Sequence, residues 1–267
     1  MARKARQISS TGYYHVMVRG NNKEPIFTKK SAKIKYINLL NEHMLSNNVQ
    51  LVAWCIMNNH AHLVLKSEIT ELQETMSITN TKFAMLYNYI NDRVGHVFQD
   101  RYKSEQIETD EYLMNVVRYV HNNPVKANIV DDADDYEWSS YKEYFKTTSY
   151  ISNEQKQFIL QYFNKDNLRF TLFHSTDDIN IYLDTQEDKE LFLMSRAQSI
   201  LSSFCRLNGI RNAKQLYKDN ELLEQLITEL LSKTKLSQRA IAKLIGTKRY
   251  KVDSVAKKIN TDLNINN

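Results

Sequence analysis

Two histidines one residue apart, His60 and His62, open the chemistry of this chain. They sit in Asn58-Asn59-His60-Ala61-His62-Leu63-Val64-Leu65, after the apolar run Leu51 to Met57. Residues two apart on a β-strand point the same way. His60, His62 and Val64 therefore share one face, and Ala61, Leu63 and Leu65 pack the other. Two imidazoles on neighbouring rungs of a rigid strand can share one divalent metal. The plain alternative is two polar residues on a half-exposed strand, since a short motif matches often by chance.

A second constellation lies on a helix expected from about Glu111 to Asn122, capped by Thr109 or Asp110 and ended by Pro124. Tyr112, Val116, Tyr119 and Asn123 follow one another at spacings of four, three and four, so they share one helical face. Near the C-terminus, Leu236 to Gly246 reads as a short helix with a Ser cap and a Gly stop. Thr247 to Val255 opens another. Two short helices through a Gly turn, with Lys248, Arg249 and Lys251 on the second, form a helix-turn-helix pattern suited to DNA. An ordinary helical hairpin is the alternative.

The elements that must position these residues follow from periodicity. Tyr13 to Arg19 is aromatic and β-branched and reads as a strand, broken by Gly20-Asn21-Asn22-Lys23. Ser31 to Asn47 reads as a helix with Ile34, Ile37, Leu40, Met44 and Leu45 inward. Leu51–Met57 and His60–Leu65 form a hairpin through Asn58-Asn59. A helical stripe runs from Ile69 to Ile90, and Val97 to Ile107 is strand-like around Phe98 and Tyr102. Strand, helix, strand, strand, helix, strand is the order of a ferredoxin-like split βαβ unit. After the acidic run Asp131 to Asp135, Tyr136 to Tyr141 is expected to return to the first domain. From about Tyr150 the pattern is helical, with stripes over Glu154–Phe163, Glu187–Leu207 and Glu221–Leu231. The fold class is thus α+β, with a helical C-terminal region ending in the helix-turn-helix.

Composition agrees with this. The 267 residues are 42% hydrophobic and 25% charged, and only five Gly and two Pro disfavour a turn-rich all-β fold. Net charge is +5 but uneven. Residues 1–35 are basic, Lys233 to Lys258 is basic, and Asp131 to Glu190 is acidic, which suggests two surfaces facing polyanions. Cys55 and Cys205 are far apart, and a reducing, cytoplasmic setting fits. No apolar run approaches bilayer-spanning length, and the basic Met1 to Arg6 leads into no apolar stretch of signal-peptide type. No membrane is expected as a partner.

Several blocks together resemble the REP-associated tyrosine transposases, relatives of the single-tyrosine insertion-sequence transposases of the HUH superfamily. Tyr14-His15-Val16, Arg19-Gly20-Asn21-Asn22 and Pro25-Ile26-Phe27 are similar to the family's opening. Met57-Asn58-Asn59-His60-Ala61-His62 is similar to its HUH motif, and Phe98 with Arg101-Tyr102-Lys103-Ser104 to its third block. Tyr112-Leu113, Arg118-Tyr119-Val120, Asn123-Pro124-Val125 and Ala127 resemble its catalytic helix and exit, and Trp138-Ser139-Ser140-Tyr141 its closing block. The resemblance covers about residues 8–145. It implies a ferredoxin-like nuclease domain acting on single-stranded DNA beside a hairpin, through a tyrosine that forms a 5′-phosphotyrosyl enzyme. It implies Mg or Mn as the divalent metal, although imidazoles on softness alone favour Zn, Mn or Ni. His60, His62 and Asn123 are the candidate ligands. Tyr119 is the candidate nucleophile, preferred over Tyr112 because an amide oxygen, not Val116, stands one turn on. Arg19, Asn21, Asn22, Lys23, Arg101 and Arg118, with Lys248, Arg249 and Lys251, are candidate DNA contacts. Relatives of this type include homodimers, which leaves a homodimer open.

The expected division is 1–148 for the transposase domain, 149–232 for a helical region and 233–267 for the helix-turn-helix segment. Two rival readings remain. A non-catalytic DNA-binding regulator would keep the fold and do no chemistry. A ferredoxin-like RNA-binding protein would show exposed aromatics on its sheet and have no use for a metal pair.

Overall fold

The computed structural model describes residues 6–147, 150–176, 180, 182–184, 186–210, 216 and 219–265. Arg3 and Lys4 of the basic N-terminus and the 148/149 boundary lie outside the described residues. The chain forms two compact units, 1–178 and 179–267.

The first unit is built on a four-stranded antiparallel sheet. Strands β1 (Tyr13–Arg19), β2 (Gln50–Ile56), β3 (His60–Lys66) and β4 (Lys103–Ile107) lie in the order β2-β3-β1-β4. Both β1 and β2 run antiparallel to β3 between them. β1 is buried along its whole length, including the polar His15 and Arg19 among its aromatic and apolar side chains. The register sets Met17 opposite His62 and Arg19 opposite His60. Beyond β2, Trp138 to Ser140 closes the outer edge: Ile56 N–H donates to Trp138 O at 2.9 Å and Ser140 N–H to Trp54 O at 2.9 Å. The expected return of this segment is therefore observed.

Helices α1 (Lys30–Ser46) and α2 (Ile69–Ile90) pack along one another. Phe27, Tyr36 and Phe83 meet between them with ring centroids 5.0–5.3 Å apart. Each fully buried ring of this kind contributes about 2–3 kcal/mol. Two inward positions expected on α1 are not inward: Ile34 and Leu45 are exposed, and Tyr36 and Lys33 are buried instead. Lys33 keeps its charge in reach of Tyr136, whose hydroxyl lies 3.0 Å from its Nζ.

β4 is shorter than expected. Pairing with β1 begins at Lys103, while Phe98 makes only an isolated bridge to Gly20. Val97 to Tyr102 has strand-forming residue types without a neighbour for the whole stretch, and pairing, not propensity, decides.

Helix α3 (Asp110–His121) is capped by Thr109, whose hydroxyl accepts from Tyr112 N–H at 3.1 Å. It ends two residues before the expected ligand, Asn123. Asn123 opens a separate short helix, α4 (Asn123–Lys126), with Pro124 in its first turn. Helices α5 (Asn153–Gln161) and α6 (Asn167–His174) complete the unit. α5 meets the sheet through Gln155 and Phe158 at Tyr13, and α6 lies against α3.

The second unit is helical: α7 (Gln186–Leu207), α8 (Asn220–Lys233), α9 (Gln238–Ile245) and α10 (Arg249–Ile265). Its core joins Leu226 and Leu230 of α8, Ile241 of α9 and Val252 of α10. Ser237 caps α9 by accepting from Ala240 N–H, and Gly246 ends it at φ 71°, a left-handed conformation that favours glycine. No helix among the described residues is long and apolar enough to cross a membrane.

Candidate active site

The site forms where β1 and β3 meet the end of α3. The loop before it is anchored to the hairpin. Gly20 N–H donates to Asn59 O and Phe27 N–H to Asn58 O, each at 2.8 Å. A Cβ at Gly20 would lie 2.2 Å from Glu24 O, so only glycine fits here. The carbonyls just ahead of His60 are thereby held in place.

His60 and His62 stand side by side with ring centroids 5.0 Å apart. His60 Nδ1 lies 2.7 Å from Asn59 Oδ1, which makes it the donor and leaves Nε2 with a bare lone pair. That Nε2 faces Asn123 Oδ1 at 3.2 Å. An imidazole nitrogen and an amide at this separation can share a hydrogen bond or hold one cation between them. His62 is fully buried, and its Nε2 has no hydrogen-bond partner among the described residues. Burial above all, then the charges of His60, Lys126 and Arg19, hold its pKa well below the usual value, so His62 is neutral with a lone pair to give. Its Nδ1 is 3.0 Å from His15 Nε2. Among the described residues no group of three or more His, Cys, Asp or Glu is arranged to hold a metal. The set here is two imidazoles and an amide oxygen, and its unmet lone pairs fit a divalent cation.

Tyr119 packs edge-on against His62 and His15, with centroids 5.5 and 5.7 Å away. Lys126 Nζ lies 4.5 Å from the centre of its ring. Tyr112, seven residues earlier, is half-buried. The structure thus brings His60, His62, Asn123 and Tyr119 together. Sequence reasoning missed His15 and Lys126. His15 carried a signal, being on the same strand face as Arg19, but its diagonal contact with His62 depends on register.

The expected DNA contacts fall into three groups. Arg19 is buried beside the histidines, and Asn21, Asn22 and Lys23 form the adjoining loop, Asn22 and Lys23 exposed at positive φ. Arg101 is exposed ahead of β4. Arg118, by contrast, is 7% exposed and turned to α6: its guanidinium donates to Thr176 Oγ1 at 2.6 Å and Asn115 Oδ1 at 3.1 Å and lies over the Phe173 ring. It holds helices together rather than facing solvent. In the second unit Lys248 and Arg249 are exposed and Lys251 is half-buried, and Arg249 pairs with Asp253 at 3.4 Å.

Residues 8–123 match the family model described as Transposase IS200 like. The matched segment carries the sheet, both histidines, Tyr119 and Asn123. No curated protein matches the chain. The structure is similar to that of a REP-associated tyrosine transposase bound to a REP hairpin, with a TM-score of 0.45 and 16% identity over 57% of this chain and 91% of that one. It is also similar to a crystal structure of a protein from Deinococcus radiodurans R1 assigned as a transposase, with a TM-score of 0.32 and 15% identity over 45% of this chain and 97% of the other.

Proposed function

We propose that residues 1–148 form a ferredoxin-like HUH nuclease that cleaves and rejoins single-stranded DNA beside a hairpin through Tyr119. The observation that carries this reading is the convergence of His60 Nε2, Asn123 Oδ1 and the unpartnered His62 Nε2 next to that tyrosine. The strand order β2-β3-β1-β4 supports the fold assignment.

A divalent cation, Mg or Mn, held by His60, His62 and Asn123 would polarise a phosphoryl oxygen and orient the phosphate. The chain's own residues do the rest. Tyr119 Oη attacks phosphorus, the P–O3′ bond breaks, and the phenolic proton is balanced by protonation of the departing 3′-oxygen. A 5′-phosphotyrosine and a free 3′-hydroxyl result. A phenol ionises near pH 10 unaided, and Lys126 over the Tyr119 ring favours the developing phenolate. Arg19, opposite His60 in the register, is placed to meet phosphate charge. The bond energy is kept in the phosphotyrosine, so a 3′-hydroxyl can reverse the step without ATP.

Asn21, Asn22, Lys23 and Arg101 line the approach for single-stranded or hairpin DNA. Residues 233–267 act as a helix-turn-helix segment that adds a contact through Lys248, Arg249 and Lys251, and 149–232 is the helical region between. The setting is cytoplasmic, and assembly as a homodimer is compatible with this chemistry. The test is adduct trapping on a hairpin oligonucleotide with Mn2+. Wild type should yield a phosphate-linked peptide containing Tyr119, Tyr119→Phe none, and Tyr112→Phe substantial adduct. An adduct on another residue overturns the nucleophile, and binding without any adduct returns the protein to the class of DNA-binding regulators.

A further inference from the structure

We propose that His15 is a positioning residue: its Nε2 accepts the Nδ1–H of His62 and so holds His62 in the tautomer whose Nε2 is bare. The inference rests on the metal-site reading above and extends it to a residue outside the ligand set.

A neutral imidazole carries one N–H, and the 3.0 Å contact between His15 Nε2 and His62 Nδ1 can run in either direction. The two directions differ at the far side of His62. If His15 donates, His62 must carry its hydrogen on Nε2, where a fully buried N–H has no acceptor among the described residues. If His62 donates, His15 carries its own hydrogen on Nδ1, which is buried as well, so the desolvation costs of the two directions, about 1–3 kcal/mol each, offset one another and the surroundings decide. With His62 as donor its Nε2 is a lone pair in a neighbourhood containing Arg19 and Lys126, cations that favour the negative end of the ring.

The neighbouring histidine supplies a second, independent observation. His60 is tethered in the same way, Nδ1 to Asn59 Oδ1 at 2.7 Å, with Nε2 turned to the site. Both candidate ligands are thus gripped by Nδ1 and offer Nε2. A metal-bound histidine characteristically donates its other N–H to a fixed acceptor, which sets both tautomer and ring plane. Asn59 does this for His60 from the adjacent position. His62 has its acceptor on the next strand, where His15 is fully buried with its ring centre 5.2 Å from that of His62. His15 also touches Tyr119 edge-on, so one ring sets the His62 plane and floors the nucleophile.

The test uses the full-length protein in two measurements. In metal-free wild type with nitrogen-15-labelled histidine, two-bond nitrogen–proton correlations should show His62 as the Nδ1–H tautomer. Finding Nε2–H overturns the inference, whatever the variants do. In calorimetric titration with Mn2+, His15→Phe keeps the ring volume but removes the acceptor. It should bind about 10–100-fold more weakly, with His62 mixed between tautomers. His15→Gln, whose Oε1 can accept, should recover most of the affinity and the Nδ1–H spectrum. Affinity unchanged in His15→Phe overturns the positioning role. Wild type that shows the Nδ1–H tautomer but binds no Mn2+ overturns the metal-site reading and leaves the direction of the hydrogen bond supported.

Discussion

Two buried histidine pairs lie in the first unit, and they end differently. His15 and His62 form one, beneath Tyr119. His121 and His174 form the other, between α3 and α6, with Nδ1 of His121 2.9 Å from Nε2 of His174. In the second pair every ring nitrogen is matched. His174 Nδ1–H donates to Phe170 O at 2.8 Å, so its Nε2 accepts from His121, whose Nε2 in turn accepts from Ser140 Oγ at 2.8 Å. That chain closes on itself and ties α6 to the β2 edge. In the first pair His62 Nε2 has no hydrogen-bond partner among the described residues. A buried polar group that is fully matched is a structural joint, whereas an unmatched one asks for a ligand. Histidine content alone would not separate the two.

The largest difference is expected in chemistry. His62→Ala should lower strand cleavage per folded molecule by about 1,000-fold or more, and the cavity left by its buried ring should cost about 2–3 kcal/mol of stability as well. His121→Ala should cost stability without the catalytic loss. Losing the ring and leaving His174 and Ser140 unmatched costs about 3–4 kcal/mol of stability, and cleavage per folded molecule should persist. Denaturant titration alongside an oligonucleotide assay checks both. A catalytic collapse in folded His121→Ala would erase the distinction.

The matched pair also predicts a pH dependence. Burial, and to a smaller degree the Arg118 charge, hold His174 down to about 4 against the upward pull of its bond to Phe170 O. Burial first and His174 second hold His121 well below its ordinary value. The unfolded chain takes up protons on these rings below about pH 6.5, and the folded chain does not. Stability is therefore full above about pH 6.5 and falls as pH drops towards 4, by about 3 kcal/mol for His174 alone. Denaturation midpoints between pH 7.5 and 4.5 measure this, and a flat profile would contradict a neutral joint.

The smallest effect concerns neither pair. If the second unit only adds phosphate contacts, Lys248→Gln with Lys251→Gln should reduce the slope of log affinity against log salt by about 2. Cleavage on saturating short substrate should stay as it was. An unchanged slope removes these lysines from the DNA surface.

Much of the first unit could be read from its residues. Alternation at His60 to Leu65 and the stripe from Ile69 to Ile90 gave β3 and α2, since one face of each is buried and must show it. The three chief site residues carried local signals of type and spacing. What escaped was non-local. His15 matters through a partner 47 residues away, and α6, for which no separate helix was expected, is fixed by Arg118 and His121 of α3. Arg118 looked like a DNA contact because its charge is local information, whereas its partners Phe173 and Thr176 are not. Asn123 is at the expected place but in α4, because Pro124 could not continue α3.

The sheet order carries a consequence for synthesis. β1 is made early, yet it is an inner strand whose two neighbours are β3 and β4. It cannot be paired on both sides until Ile107 has left the ribosome, about 90 residues later, or roughly 5–20 s at 5–20 residues per second. For that interval at least one edge of β1, which the folded protein buries along its whole length, is open. The nascent chain is then most in need of a chaperone, and a pause in translation before codon 107 should cost more soluble protein than the same pause after it.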